Sequence, residues 1–122
     1  MTKKILVVDD SPLSIEMSKA QLEGAGYLVL TAKDGQEALD VAREEMPDGI
    51  LLDLMLPILD GHKVCRMLKF DKSFENIPVI IFSAKDSAED KRLAEQAGAD
   101  LFMVKPLDLT LFNETIRKLS KK

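Results

Sequence analysis

The sequence predicts an α/β fold in which five parallel strands alternate with five helices, a doubly wound (βα)5 three-layer sandwich. Two observations support this prediction. Short apolar runs rich in β-branched residues recur along the chain, and each is near-continuously apolar, as expected for strands covered on both faces. Segments with helix-capping residues separate these runs. With 122 residues, 46% of them hydrophobic, the chain has the size and composition of one domain with its own core.

The five predicted strands differ in strength. The first four are clearly apolar, and the fifth, "LFMV", is weaker. For five parallel strands the common order is 2-1-3-4-5, which makes strands 1 and 3 neighbours. The predicted strands are 5–8, 27–31, 49–52, 79–82 and 101–104.

Capping residues mark the predicted helices. Ser11 followed by Pro12 supplies an N-cap and a first-turn proline, and Ser87 is a second N-cap candidate. Asp34 with Glu37 three residues later resembles a capping box. The predicted helical segments run from Pro12 to near Gly24 and Gly26, and over 34–46, 61–70, 87–98 and 108–122.

The last helical segment is the most clearly amphipathic. Leu109, Phe112, Ile116 and Leu119 recur at steps of three, four and three, which places them on one helix face. Basic residues at its end, including Lys121–Lys122, are favourable at a helix C-terminus, where we expect them to be solvated.

Composition excludes several classes of function. A formal charge of −4 argues against a nucleic-acid-binding surface, which needs a basic stripe. No apolar stretch approaches the roughly 20 residues of a membrane helix, and the N-terminus does not resemble a signal peptide, so we expect a cytoplasmic protein. Cys65 is the only cysteine and is expected to be inert; His62, the only histidine, is expected at a surface or helix start.

Five polar residues lie where predicted strands end. Asp9 and Asp10 end the first strand, Asp53 the third, Ser83 the fourth and Lys105 the fifth. Because sites in open parallel sheets form at the carboxyl ends of the strands, we expect these residues to converge on one edge.

This set of residues indicates phosphoryl chemistry. Three neighbouring carboxylates disfavour each other's ionisation, and a hard cation such as Mg²⁺ relieves that repulsion. An aspartate can attack phosphorus to form an acyl phosphate. Asp53 is therefore the predicted acceptor, and Asp9 with Asp10 the predicted metal holders. Lys105 and Ser83 could contact phosphoryl oxygens.

Four motifs in order resemble the receiver domain of two-component response regulators. They are "VVDD" (7–10), "LLDLMLPILDG" (51–61), "FSA" (82–84) and "VKP" (104–106). The resemblance spans essentially the whole chain. It implies a flavodoxin-like fold and a chemotaxis-type single receiver domain over 1–122 without an output domain.

The resemblance implies a role for each metal and phosphoryl ligand. Asp53 matches the phosphoacceptor, Asp10 the direct ligand of Mg²⁺ (with Mn²⁺ as a substitute), and Asp9 the acid that acts through a metal-bound water. Met55 matches the position whose backbone carbonyl binds the metal, and Ser83 matches the switch hydroxyl.

Further roles follow from the same resemblance. Lys105 matches the lysine that contacts the phosphoryl group, and the Lys105–Pro106 bond is expected to be cis. Phe102 matches the aromatic switch residue. Met55 and Lys85 match positions that tune the phosphate lifetime; since neither is suited to orient an attacking water, we predict slow self-dephosphorylation.

The expected partners are proteins. A histidine kinase or histidine phosphotransfer protein would donate the phosphoryl group, so the chain would catalyse only its own phosphorylation and dephosphorylation. The face of the fourth helix, fifth strand and fifth helix would then change its affinity for a downstream protein. No direct nucleic acid or membrane contact is expected, and the chain would be a monomer or a weak phosphorylation-dependent dimer.

Three other functions fit parts of the pattern. An aspartyl phosphohydrolase would have two aspartates separated by one residue after the first strand, whereas Asp9 and Asp10 are adjacent. A flavin-binding protein would have a Ser/Thr/Gly-rich phosphate loop there. An interaction module that works without phosphorylation could retain all five site residues.

Overall fold

The computed structural model describes residues 2–119 as a five-stranded sheet with helices on both faces. Strands and helices alternate along the chain, as predicted. The elements are β1 Lys4–Val8, α1 Pro12–Gly24, β2 Leu28–Ala32, α2 Gly35–Glu45, β3 Gly49–Asp53, α3 Gly61–Lys69, β4 Val79–Ser83, α4 Ala88–Gln96, β5 Leu101–Val104 and α5 Leu109–Leu119. The predicted terminal pair Lys121–Lys122 lies outside the described residues.

The sheet is parallel with strand order β2-β1-β3-β4-β5, so the predicted order is confirmed. Side chains of α2, α3 and α4 join one core cluster on one face of the sheet. Side chains of α1 and α5 join a second cluster on the other face. The result is the predicted three-layer sandwich, with β1 and β3 adjacent at its centre.

Strand coverage differs from the sequence prediction at both edges of the sheet, where β5 is only half-buried and β2 is the more exposed of the two. Every residue of β3 and β4 is buried, as expected for strands covered on both faces. The outer strand β2 is largely accessible, with Leu28 50% exposed. The prediction of burial on both faces is therefore wrong for β2, because an edge strand has a neighbour on one side only. The strand itself begins at Leu28 rather than Tyr27.

Helix starts follow the predicted caps. The side chains of Ser11, Asp34 and Ser87 each accept a hydrogen bond from the backbone N–H three residues later. The capping box is altered, because the Glu37 carboxylate accepts from the backbone N–H of Lys33, at 2.6 Å, and not from Asp34. Glu37 thus ties the end of the β2–α2 loop to the helix.

The amphipathic face of α5 packs as predicted on the sheet. Phe112 and Ile116 are almost fully buried, while Leu109 and Leu119 are half-buried at the ends of the stripe. The Phe112 ring meets Tyr27 edge-on with centroids 5.6 Å apart. Burial of a side chain of this size contributes about 1.5–3 kcal/mol. None of the helices within residues 2–119 has the length and apolar character of a membrane span.

Candidate functional site

The site lies at the carboxyl edge of the sheet, where β1 and β3 end side by side. Val8 pairs with Leu52 in the parallel register, so the next residues, Asp9 and Asp53, are neighbours across the two strands. One carboxylate oxygen from each of Asp9, Asp10 and Asp53 lies within 4.8 Å of the other two. Asp9 and Asp53 are buried, and Asp10 is exposed at the rim.

Lys105 brings a positive charge into this acidic cluster. It follows β5, and its Nζ donates a hydrogen bond of 2.8 Å to Asp9 Oδ2. The same Nζ lies 3.6 Å from Asp53 Oδ2, which is an ion-pair distance but too long for a good hydrogen bond. It also lies 5.3 Å from the centre of the Phe82 ring. Lys105 therefore contacts both buried acids but is bound more closely to Asp9.

Ser14, which the sequence analysis did not single out, connects the same groups. Its hydroxyl donates a hydrogen bond of 2.6 Å to Asp9 Oδ2 and accepts one of 3.1 Å from Lys105 Nζ. Asp9 Oδ1 accepts from the Ser11 backbone N–H at 3.0 Å. The only sequence signal for Ser14 is its place three residues after the Ser11 N-cap, in the first turn of the helix that follows Asp9.

The two buried acids are perturbed in opposite directions. Burial raises the pKa of Asp53, the neighbouring Asp9 charge raises it further, and attraction to Lys105 opposes both, so its pKa is above the ordinary value. Burial also acts to raise the pKa of Asp9, but hydrogen bonds from Lys105, Ser14 and Ser11 outweigh it, so its pKa is lowered. The ionised form of Asp9 is thus stabilised by its surroundings, whereas the ionised form of Asp53 is destabilised.

The acidic cluster fits a hard divalent cation. Carboxylate oxygens are the donors that Mg²⁺ prefers, and it keeps several waters, so an open rim at Asp10 matches its needs. Burial and the Asp9 charge raise the pKa of Asp53 despite the attraction to Lys105, so a further positive charge here would stabilise its ionised form. Asp9, Asp10 and Asp53 could therefore hold Mg²⁺.

Ser83 and Met55 lie beside the acids in different ways. Ser83 ends β4, is buried, and its hydroxyl accepts a hydrogen bond of 3.1 Å from the Lys85 backbone N–H. Within residues 2–119, no hydrogen bond joins Ser83 to the three acids. Met55 is 71% exposed, and its backbone N–H donates to Asp53 Oδ1 at 3.4 Å. The Met55 and Lys85 side chains are thus both exposed next to the site.

Two other predicted features lie further along β5. Phe102 is half-buried against the core cluster of α2, α3 and α4, and Lys91 Nζ of α4 lies 6.0 Å from the centre of its ring. The Lys105–Pro106 peptide bond is cis. Phe102 pairs with Ile81 of β4 and lies three residues before Lys105, so both strands join it to the carboxyl edge of the sheet.

The loop after β3 is shaped by two residues that the sequence analysis did not assign to the site. At Gly61, an added Cβ would collide with the Asp53 carbonyl oxygen and lie 2.7 Å from Leu54 Cα. Gly61 N–H donates to Leu54 O at 2.9 Å, which closes the loop against the end of β3. Ile58 has φ 72° and is 76% exposed, a conformation that β-branched residues rarely adopt.

His62 and Cys65 take no part in the site. His62 is the second residue of α3, and its Nε2 lies 3.7 Å from Asp90 Oδ1 of α4. Cys65 is fully buried, and burial raises the pKa of its thiol to about 12. A thiol of that kind does not act as a nucleophile.

An open cleft of about 470 Å³ leads from the surface to Asp53. One side is the α1 face with Leu13 and Met17, which are 70% and 56% exposed. Pro106 and Leu107 line the other side. The cleft thus presents apolar walls to solvent and carboxylates at its inner end.

Comparison with known proteins identifies the family. The model of the response regulator receiver domain matches residues 5–117. The chain is 43% identical over 122 residues to the alkaline phosphatase synthesis regulator PhoP of Bacillus subtilis, of which it spans 50%. It is 37% identical over 117 residues to the polar-differentiation response regulator DivK of Brucella ovis, covering 96% of the chain and 95% of DivK.

A solved structure provides the same match in three dimensions. The receiver domain of a sensor histidine kinase from Pseudomonas aeruginosa, with magnesium in its active-site cleft, superposes with TM-score 0.88 at 27% identity, and the match covers 100% of both chains. Receiver domains are phosphoacceptors that bind Mg²⁺ at an acidic site, and the cluster of Asp9, Asp10 and Asp53 fits such a site. The chain belongs to the receiver domain family of two-component response regulators.

Proposed function

We propose that Asp53 accepts a phosphoryl group from a phosphohistidine of a histidine kinase or phosphotransfer protein. One observation carries this proposal: three carboxylates and the Lys105 ammonium meet at the carboxyl edge of the sheet, with Asp53 central and reachable from the cleft. Of the two buried acids, Asp53 is the one that lacks a strong hydrogen bond, since its closest donor, the Met55 N–H, is 3.4 Å away. Its oxygens are therefore less strongly hydrogen-bonded than those of Asp9.

The transfer is a simple displacement at phosphorus. An Asp53 carboxylate oxygen forms a new O–P bond while the P–N bond to the donor imidazole breaks, and the imidazole leaves with the electron pair and takes up a proton. Lys105 lies close enough to shift its ammonium toward the added phosphoryl oxygens. The Ser83 hydroxyl, at the end of the adjacent strand β4, is proposed to donate to another of these oxygens.

Asp9 and Asp10, with an oxygen of Asp53 and the Met55 backbone carbonyl, would hold Mg²⁺ or Mn²⁺. The bound cation supplies positive charge that offsets the repulsion between the carboxylates and the incoming phosphoryl group. Asp9 is suited to remain ionised throughout, because its hydrogen bonds keep its pKa low.

The apolar cleft supports a protein donor. A phosphohistidine must bring its phosphorus to Asp53, and the exposed Leu13 and Met17 of α1 lie beside that path. Apolar side chains on an exposed helix face are typical of contacts with an amphipathic partner helix. The donor segment is therefore proposed to pack on α1 and on the Pro106–Leu107 turn.

Phosphorylation is proposed to change the surface formed by α4, β5 and α5. Phosphorylation would draw Ser83 and Lys105 toward the new charge, and the half-buried Phe102 would turn inward between β5 and α4. Lys91, which lies over the Phe102 ring and pairs with Asp86, would move with it. A downstream protein is proposed to recognise this face, with the chain as a monomer or a weak phosphorylation-dependent dimer.

The acyl phosphate is proposed to be long-lived. Water must be oriented for attack on phosphorus, and the exposed side chains at the two flanking positions are the apolar Met55 and the basic Lys85. Neither is suited to that task.

Mass spectrometry with a small phosphodonor tests the function. Wild type with Mg²⁺ and acetyl phosphate is expected to gain one phosphoryl group, which persists for minutes or longer, and Asp53→Asn is expected to gain none. Chelation with EDTA should suppress the gain. A phosphorylation-independent interaction module would give no gain in any sample, and labelling of Asp53→Asn would assign the acceptor elsewhere.

A further inference from the structure

Ser14 makes hydrogen bonds to both Asp9 and Lys105 in the site. Ser14, Asp9 and Lys105 form a closed ring of three hydrogen bonds: Ser14 Oγ to Asp9 Oδ2 at 2.6 Å, Lys105 Nζ to the same oxygen at 2.8 Å, and Lys105 Nζ to Ser14 Oγ at 3.1 Å. A serine hydroxyl has one proton to donate and two lone pairs to accept with. The proton and one of the two lone pairs of Ser14 are therefore used within this ring.

The ring sets the position of the lysine ammonium. Two Lys105 protons are directed at Asp9 and Ser14, and Asp53 Oδ2 is left 3.6 Å away. The Lys105 side chain is 23% exposed, so these contacts are partly shielded from water. The resting lysine is thus held on the Asp9 side of the site.

We propose that Ser14 is a positioning residue that holds Lys105 on Asp9 until Asp53 carries a phosphoryl group. This role rests on the proposed phosphorylation of Asp53. The proposed shift of the Lys105 ammonium toward that group would lengthen its hydrogen bond to the Ser14 oxygen, now 3.1 Å. The hydroxyl thereby stabilises the position of Lys105 beside Asp9 and adds to the free energy needed to move the lysine toward a phosphoryl group.

Helix α1 fixes Ser14 in place for this role. The Ser11 side chain caps the helix by accepting the Ser14 backbone N–H at 3.3 Å, and Pro12 begins the first turn. Ser11 N–H also binds Asp9 Oδ1 at 3.0 Å. Ser11 thus binds Asp9 through its backbone and Ser14 through its side chain, which fixes the two residues relative to each other.

The test uses Ser14→Ala, with Ser14→Thr and Ser18→Ala as controls. Ser14→Thr keeps the hydroxyl. Ser18 is buried one turn further along α1 and lines the same cleft, but within the described residues it makes no hydrogen bond to Asp9 or Lys105. All variants are full-length chains, and urea denaturation checks that each is folded.

The first readout is the Lys105 ammonium in the unphosphorylated, metal-free protein. With selectively labelled lysine, nuclear magnetic resonance should show faster exchange of the Lys105 ammonium protons with water in Ser14→Ala. Ser14→Thr should restore the wild-type rate, and Ser18→Ala should leave it unchanged. Because no phosphoryl group is present, this readout stands even where the proposed phosphorylation fails.

The second readout is the affinity for beryllofluoride, an acyl-phosphate mimic, at saturating Mg²⁺. Ser14→Ala is expected to bind about three- to tenfold tighter than wild type, the equivalent of one hydrogen bond lost from the resting state. No binding to wild type would refute the proposed function instead. An unchanged or weaker affinity in Ser14→Ala would overturn the role of Ser14. The same conclusion would follow if Ser14→Thr or Ser18→Ala bound beryllofluoride as tightly as Ser14→Ala.

Discussion

Two lysine–aspartate pairs lie at opposite edges of the sheet, and they are built differently. At the amino edge, Lys69 Nζ donates to Asp100 Oδ2 at 2.8 Å and to the carbonyl oxygens of Glu75 at 2.8 Å and Ile77 at 3.0 Å. Asp100 Oδ2 also accepts from the Val79 N–H at 2.8 Å. Every proton of this ammonium has an acceptor, so the pair is closed.

The pair at the carboxyl edge is open. Lys105 Nζ has two hydrogen-bond acceptors, and the third direction faces Asp53 at 3.6 Å. The Lys105 side chain is 23% exposed against 11% for Lys69. A closed pair holds the α3–β4 loop and the start of β4 in place, whereas the open pair leaves charge and space for a ligand. The difference lies in the number of satisfied donors, not in the residue types.

The strongest test of this comparison is Lys105→Met against Lys69→Met. Removal of one hydrogen-bond donor aimed at developing charge slows reactions about 10²–10³-fold. We therefore expect Lys105→Met to slow phosphorylation by acetyl phosphate by about 10²-fold, as measured by mass spectrometry over time. Lys69→Met, measured while folded, should react at the wild-type rate. Equal rates in Lys105→Met and wild type would remove the proposed role of Lys105.

The reverse ranking is expected for stability. Breaking a fully buried ion pair costs about 3–5 kcal/mol, and we expect about 2–3 kcal/mol for Lys69→Met because Asp100 keeps some contact with water. Urea denaturation measures this free energy of unfolding. Mg²⁺ bound at the acids stabilises the folded state of wild type and of both variants, so each variant is compared with wild type at the same Mg²⁺ concentration. Added Mg²⁺ should reduce the stability difference between Lys105→Met and wild type, and should leave the difference between Lys69→Met and wild type unchanged. An equal reduction of both differences by Mg²⁺ would contradict the distinction between open and closed pairs.

A smaller effect is expected for Asp53→Asn in EDTA. Burial and the Asp9 charge raise the pKa of Asp53 in the folded protein, so the ionised side chain destabilises the fold above that pKa. Removing the charge should raise the free energy of unfolding at pH 7 by about 1 kcal/mol, within the range seen when a functional site is relieved. As the pH falls through the folded pKa, wild-type Asp53 becomes protonated and the advantage should shrink. A stability difference that is constant with pH would refute this cause.

The smallest expected effect concerns the backbone of the β3–α3 loop. Ile58 is exposed but has φ 72°, which costs an ordinary L-residue about 1–2 kcal/mol. Ile58→Asn should raise the free energy of unfolding by about 0.5–1 kcal/mol, because asparagine tolerates this conformation. Ile58→Val keeps the branched side chain and should change nothing. A destabilised asparagine variant would mean that the exposed isoleucine makes a contact that offsets its strain.

Much of the fold could be predicted from local sequence. The caps Ser11, Asp34 and Ser87 and the α5 stripe were confirmed because capping and helical periodicity depend on residues within a few positions of each other. The exposure of β2 does not follow from its own residues, but from its place at the edge of the predicted strand order. A run such as "YLVLT" has the same composition whether its strand lies at the centre or at the edge of the sheet.

The sequence was sufficient to predict which residues at the strand ends form the site. Asp9, Asp10 and Asp53 converge because parallel strands bring their carboxyl ends to one edge. Their pairing was not predictable, because Lys105 and Asp9 are 96 residues apart and no local rule says which acid the ammonium contacts. Ser14 was missed for the same reason: on its own, a serine in the first turn of a helix gives no sign of a tertiary partner.

The sequence by itself determined the order of strands and helices, their caps and the identity of the acids at the strand ends, since these follow from short-range backbone and side-chain preferences. Only the tertiary structure decided that Lys105 is held on Asp9 by Ser14, that Asp53 is left underbonded, and that Lys69 closes the opposite edge. These outcomes depend on distances of a few ångströms between side chains far apart in the chain, and packing of the whole sheet sets those distances.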